Sequence, residues 1–216
     1  MRVLFLLVLL IAAAAWADNP PAWVAKSNQN AQLLIEIMAR YAPEDAAAEG
    51  VPGLDQQIST LSPGQAARFR KDIAVARTEL QKRLALEKDP LVRQDLEILL
   101  AAADRNIRSS EASERNLLPY NDVAGIIFFG VKSLLDDQVS ANRRPASVVR
   151  LRKYTGLEPG IEPLTVQAEE RFREKLNTPG LVGPSKVEVE KNLGNTQAYI
   201  TAVSYTHLTL PTILLV

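Results

Sequence analysis

Two long stretches with helical periodicity, separated by Asp89-Pro90, constrain the fold of this chain more than any other feature. Apolar residues recur on both sides of this break: Ala66, Phe69, Ile73, Ala76, Leu80 and Leu84, then Leu96, Leu99, Ala103 and Ile107. Steps of three and four residues place side chains on one face of an α-helix. Because a turn of only two or three residues joins them, the two helices are predicted to lie antiparallel as a hairpin.

The segment before the hairpin contains helix and turn signals. A first helix is expected to end at Pro43, and the glycines and prolines of residues 44–61 are typical of a loop. Ser62 and Gln65 have the spacing of a capping box, and Pro63 fits the first helical position. The first hairpin helix is therefore predicted to start there, while Asp89 is predicted to cap the second.

Further helices are expected after the hairpin, over residues 123–139, after Pro145, over residues 163–176 and from near Pro184. Residues 123–139 are apolar on all sides, and such helices are usually buried in a larger body. We expect part of that body to lie outside this chain. The whole pattern predicts an all-α fold for residues 18–200, with the hairpin packed against four or five shorter helices and no substantial sheet.

The N-terminal 17 residues have the features of a secretory signal peptide. Arg2 is followed by an uninterrupted apolar run of 13 residues, Val3 to Ala15, and then by the small-x-small pattern Ala15-Trp16-Ala17. This order predicts cleavage before Asp18. The run is too short to cross a bilayer, and no cysteine follows it for lipid attachment. We therefore expect an exported protein, periplasmic or extracellular, without a stable membrane anchor.

Residues 201–216 differ in composition from the rest of the chain. Lys191 is the last residue of the Lys, Arg, Asp and Glu classes. The rough alternation over residues 205–210 is compatible with an edge strand, but the tail is too short and too polar for a membrane span. Residues 204–212 resemble a run that recurs where sequencing adapter has been translated at the end of an incomplete gene. This resemblance predicts that residues 201–216 are not native protein sequence.

The amino-acid composition excludes most classes of catalytic site. The chain has no cysteine and a single histidine, His207, which lies within residues 201–216. Disulfide scaffolds, thiol nucleophiles and zinc sites built on cysteine or on paired histidines are therefore excluded. No G-x-S-x-G, S-x-x-K or phosphate-binding glycine motif occurs. We assign no catalytic, cofactor-binding or metal-binding residue. With 25 basic and 25 acidic residues, no global charge attracts nucleic acid.

Two groups of charged residues are candidate sites. A basic stretch could bind an anion through Arg143, Arg144, Arg150, Arg152 and Lys153. Its alternative role is a solvated helix face that pairs with Glu169-Glu170. The other group consists of carboxylates, Asp136-Asp137, Glu169-Glu170, Glu188 and Glu190. Adjacent residues on a helix point in different directions, so these doublets are expected to be surface charges and not a glycosidase pair.

The order of short motifs resembles one bacterial family. The motifs are Tyr41-Ala42-Pro43-Glu44, Asp55, Leu61-Ser62-Pro63, Asp89-Pro90, residues 95–100, Leu118-Pro119-Tyr120 and residues 150–156. Over roughly residues 34–200 they resemble the N-terminal part of the bacterial domain-of-unknown-function 885 proteins. The resemblance implies a mostly helical, often exported protein that is similar to zincin-type metallopeptidases.

The resemblance also implies where the chemistry of the family lies. Its zinc-binding histidines and glutamate base belong to a C-terminal half, no position of this chain matches them, and full members are far longer. We therefore expect the truncated N-terminal region of an exported metallopeptidase-like hydrolase that acts on a peptide or another small substrate. The alternative is a self-sufficient periplasmic helical binding module whose basic stretch binds an anion.

Overall fold

A computed structural model of the chain describes residues 21–209, and the side chains of residues 21–202. The signal-peptide prediction for residues 1–17 and the end of the tail, residues 210–216, lie outside this part. Its α-helices are α1 Ala22–Tyr41, α2 Pro43–Ala48, α3 Gln65–Leu86, α4 Pro90–Asn116, α5 Val123–Leu135, α6 Ala146–Tyr154, α7 Leu164–Lys175 and α8 Lys186–Thr209. Outside these helices, the described residues contain one isolated β-bridge, which pairs Leu117 with Val182. The all-α prediction is confirmed.

Several predicted boundaries need correction. Residues 44–61 are not all loop, because Pro43 at the first position and two acidic residues in the first turn start the short helix α2. Helix α5 ends at Leu135 and not near residue 139, since Asp136 is extended. With 20 and 24 residues, α1 and α8 are comparable with the hairpin helices. The edge strand considered for residues 205–210 is wrong for residues 205–209, because α8 continues to Thr209.

The start of α3 shows why one capping prediction was only half right. Gly64 has a φ of 68°, a left-handed conformation that interrupts the helix, so α3 begins at Gln65 and not at Pro63. The Gln65 side chain accepts a hydrogen bond from the Ser62 N–H at 3.2 Å. The Ser62 hydroxyl, however, accepts from Arg68. At the start of α4, the Asp89 carboxylate accepts a hydrogen bond from the Leu91 N–H at 2.9 Å, as predicted for an N-cap.

Residues 21–36 and 71–107 form one compact unit, unit 1. Its centre is the fully buried trio Leu80, Val92 and Leu96, and the apolar side chains around it are Trp23, Leu33, Leu34, Leu84, Leu99 and Leu100. Arg77 of α3 pairs with Asp104 of α4. Within unit 1, therefore, α3 and α4 run antiparallel, and the predicted hairpin is confirmed.

Residues 37–70 and 108–209 form unit 2. Helix α5 is central to this unit and packs against α2, α6, α7 and α8. Val131, Tyr154 and Leu164 are its buried centre. The described helices thus cover most of α5, although Phe129 remains 59% exposed. Within residues 21–209, no helix combines the length and apolar character needed to cross a bilayer.

Candidate functional site

Arg143, the first cation of the basic stretch, is tied to the loop that follows α2. Its guanidinium donates two hydrogen bonds to the Asp55 carboxylate, at 2.9 and 2.7 Å, and one to the Ala47 carbonyl at 3.2 Å. The hydrogen bond from Arg143 lowers the pKa of Asp55. The same contact raises the pKa of Arg143. A bidentate pair of this kind fixes the loop against the cation.

Arg150 is fully buried. Its guanidinium donates to the Gly130 carbonyl at 2.7 Å, to the Ser133 hydroxyl at 3.2 Å and to the Leu54 carbonyl at 3.2 Å. Burial lowers the pKa of this guanidinium, because a low dielectric disfavours the charged form. These contacts join α5, α6 and the loop after α2, so Arg150 is a structural cation.

The other cations of the basic stretch complete this arrangement. Arg152 pairs with Glu158 at 2.6 Å, and the Lys153 ammonium donates to the Gln56 carbonyl at 2.7 Å. Arg144 Nε is buried and has no hydrogen-bond partner among the described residues. The stretch thus fastens residues 54–56 to α6 and the turn before it. Anion binding by this stretch stays a prediction, and these internal contacts do not favour it.

The acidic residues form ion pairs with basic residues that lie close to them in the chain. Glu169 pairs with Arg173, and Glu170 pairs with Arg171. The expected pairing of Glu169-Glu170 with the basic stretch is therefore wrong. Asp136 and Glu190 lie within 4 Å of Lys132 and Lys186, at 3.8 and 3.6 Å. Such exposed pairs contribute little stability, as expected of surface charges.

A buried carboxylate holds the same loop from the other side. Glu44 accepts hydrogen bonds from the Tyr154 hydroxyl at 2.6 Å and from the Ser59 N–H at 2.7 Å, and the Ser59 hydroxyl donates to its second oxygen. Burial, reinforced by the negative charge of Glu44, raises the pKa of Tyr154. The loop between α2 and α3 is thus pinned at residues 54–56 and at Ser59.

The end of this pinned loop forms one wall of a cleft of about 550 Å³ in unit 2. Tyr41 and the segments 61–69, 110–121 and 171–175 supply its lining side chains. The cleft exists because the antiparallel hairpin brings the start of α3 beside the end of α4. The two loops at that open end, before α3 and after α4, then face each other.

Aromatic and aliphatic side chains dominate the interior of the cleft. The rings of Tyr41 and Phe69 meet edge to face, with centroids 5.4 Å apart and an interplanar angle of 82°. Tyr120, in the opposite wall, accepts a hydrogen bond from the Asn192 amide at 3.0 Å. That wall is also held by the Leu118 N–H, which donates to the Val182 carbonyl at 2.9 Å. Both walls are therefore preformed.

The charged side chains of the cleft are mostly neutralised. Glu114 pairs with Arg70, which also donates to the Ser110 hydroxyl at 3.1 Å. Arg171 lies between two carboxylates, Glu170 at 3.0 Å and Glu174 at 2.8 Å. Lys175, which is exposed at the rim, has no anionic partner among the described side chains. The lining therefore carries little net field for an ionised ligand.

The described residues supply binding groups and no identified reaction centre. Among the described side chains, those of residues 21–202, no three of the His, Asp and Glu classes come together in a way that could hold a metal ion. The side chain of His207 lies outside the described part. The cleft can exclude water from an apolar group, and this is the chemistry that its residues support.

Sequence reasoning missed this cleft. The periodicity predicts Phe69 on the apolar face of a helix, and Tyr41 and Tyr120 enter the sequence argument only as members of the family motifs. One signal was nevertheless available. In a hairpin, the turn-rich segments 61–64 and 117–121 must lie at the same end. Aromatic residues flank this open end, and clefts lined by such residues are typical of ligand sites.

Comparison with known proteins identifies a family. The sequence model of a family described as "Bacterial protein of unknown function (DUF885)" matches residues 43–211. The match starts at the first residue of α2 and includes every lining residue of the cleft except Tyr41. No curated protein and no solved structure matches the chain.

Proposed function

The chain belongs to the DUF885 family, and from this premise we propose that it is the helical N-terminal part of an exported metallopeptidase-like hydrolase. In this proposal the cleft of unit 2 forms one wall of the substrate site, and the substrate is a peptide. The catalytic residues, and the zinc ion implied by the similarity to zincins, belong to a part of the protein outside this chain.

The observation that carries the proposal is the cleft itself. A volume of about 550 Å³ falls within the ~300–1,000 Å³ usual for sites that hold small ligands. Its apolar interior suits the side chain of a peptide, and its hydroxyl groups can meet the polar backbone. The wall residues Leu61 and Leu118 are both held by hydrogen bonds from their own N–H groups, so little ordering is required on binding.

A tryptophan placed inside the cleft should block peptide binding. Ala66 lines the cleft, whereas the neighbouring Ala67 does not, and both are exposed on α3. We expect fluorescein-labelled, amidated tetrapeptides of the form Ala-Ala-X-Ala to bind the unmodified chain. Ala66→Trp should weaken this binding at least tenfold, equivalent to about 1.4 kcal/mol, as measured by fluorescence anisotropy.

The matched control is Ala67→Trp, which should bind the tetrapeptides as the unmodified chain does. Circular dichroism at 222 nm establishes that both variants are folded. The proposal fails if no tetrapeptide binds the unmodified chain. It also fails if the two tryptophan variants have the same affinity.

The remaining parts of the proposal concern the two ends of the chain. An independently sequenced copy of the gene should read on past the codon for Ile200 to an H-E-x-x-H-like motif, and the mature protein should begin at Asp18. Genomic sequencing and N-terminal sequencing of the exported protein check these two expectations. A stop codon near residue 216 would contradict the first, and a mature product that keeps residues 1–17 would contradict the second.

A further inference from the structure

We infer that the cleft of unit 2 selects a bulky, uncharged aromatic side chain of a peptide, and that Phe69 determines this preference. The inference rests on the proposed function, because it names the chemical class that the same cleft would accept. It goes further by assigning selectivity to one residue and by excluding charged side chains.

The first argument comes from the aromatic pair in the cleft. Phe69 and Tyr41 already meet edge to face at 5.4 Å, and Phe69 is only partly buried, so its ring remains accessible. Aromatic rings favour offset and edge-to-face contacts, and an incoming ring can extend such a pair. Leu61, Leu117 and Pro119 add aliphatic surface to the same lining. An aromatic side chain therefore gains contacts here that alanine cannot make.

The second argument comes from the charges. Glu114 is neutralised by Arg70, and the lining cation Arg171 is neutralised by two glutamates. An ionised ligand side chain would lose water on entering. The polar groups left for it are few, since Lys175 lies at the exposed rim and the one Arg171 nitrogen without a hydrogen-bond partner, Nε, is itself buried. A basic side chain would in addition approach the exposed Lys175 at the rim. Basic side chains are therefore disfavoured most, and an acidic side chain would gain only a solvent-exposed pairing with Lys175, which contributes about 0–1 kcal/mol.

The third argument comes from the rigidity of the walls. The Leu61 N–H donates to the Gln167 amide oxygen at 2.8 Å, while Asn116 and Leu118 exchange backbone hydrogen bonds with Val182 at 2.8 and 2.9 Å. Walls tied in this way cannot adapt freely to a ligand of another shape. A preorganised site favours the ligand whose shape it matches, because binding that ligand requires no rearrangement of the walls.

The test compares four tetrapeptides, Ala-Ala-X-Ala with Phe, Ala, Glu or Lys at X, labelled and amidated as above. The Phe peptide should bind at least tenfold more tightly than the Ala peptide, and the Lys peptide should bind most weakly. In the Phe69→Ala variant, the preference for the Phe peptide over the Ala peptide should fall below about threefold, because this variant lacks the ring that the peptide's phenylalanine contacts. Phe69→Leu keeps apolar volume and should retain an intermediate preference.

The outcomes separate this inference from the proposed function. If all four peptides bind equally and Ala66→Trp still blocks them, the selectivity is refuted while the cleft remains a peptide site. A Glu peptide that binds as tightly as the Phe peptide would also refute it, since Lys175 would then select the ligand. If Phe69→Ala, or Phe69→Leu where the alanine variant does not fold, keeps the full preference, Phe69 is not the determinant.

Discussion

Replacing Arg150 with methionine should lower the free energy of unfolding by about 3 kcal/mol or more. Methionine fills part of the space but cannot donate hydrogen bonds to the Gly130 carbonyl, the Ser133 hydroxyl and the Leu54 carbonyl. The Gly130 and Leu54 carbonyls keep other donors, the Ser133 hydroxyl and the Gln57 N–H. A hydrogen bond from a charged donor nevertheless contributes about 1.5–3 kcal/mol, and three such bonds are lost. Urea unfolding followed by circular dichroism at 222 nm measures the loss.

Arg152, two residues further along α6, provides the control for this prediction. It pairs with Glu158, and about half of its side chain is exposed, at 51%. Exposed ion pairs contribute only about 0–1 kcal/mol, so Arg152→Met should change the unfolding free energy by less than about 1 kcal/mol. Equal losses in the two variants would show that the burial of Arg150 has no energetic consequence, and the structural role assigned to it would be wrong.

Replacing Gly130 with alanine should also destabilise the protein, by about 2 kcal/mol. A Cβ atom at this position would lie 3.0 Å from the Tyr154 ring carbon Cζ, and closer still to the Tyr154 hydroxyl oxygen. Tyr154 cannot retreat without weakening its hydrogen bond to the buried Glu44. Overpacking as close as this costs about 3 kcal/mol, the upper end of the usual range. The roughly 1 kcal/mol that alanine contributes through helix propensity offsets part of this cost.

Gly194 in α8 is the matched glycine for this experiment. It also lies within a helix, but no atom would come within 4 Å of a Cβ there. Gly194→Ala should therefore stabilise the protein, by about 0.5–1 kcal/mol. The same urea titration checks both variants. A Gly130→Ala protein as stable as the unmodified chain would mean that α5 and α6 are not packed as closely as described.

The predicted helices and the observed helices agree because their signals are local. The stripes on α3 and α4 place Ile73, Ala76 and Leu80 on the buried face as the periodicity predicted, and Asp89 starts the second hairpin helix. The boundary at Gln65 was missed by two residues, since a left-handed Gly64 was indistinguishable in the sequence from a helical one. Helix α2 was missed because the turn residues that follow it dominated the pattern.

The cleft and the roles of the cations could not be predicted in the same way. Arg150 and Arg152 are identical residue types on one short helix, and only the position of α5 and the loop decides that one is buried and the other exposed. The lining of the cleft is drawn from segments as distant in the chain as Tyr41 and Lys175, and no local pattern links them.

By itself, the sequence determined the all-α fold, the antiparallel hairpin and the membership in a bacterial family. Those features depend on periodicity, proline and glycine positions and the order of short motifs, each of which acts over a few residues. The tertiary structure alone decided that the basic stretch fastens a loop, that Glu44 and Arg150 are buried, and that aromatic side chains surround a cleft. Burial and partner choice depend on which faces meet in three dimensions, and helical periodicity does not specify which helix lies against which.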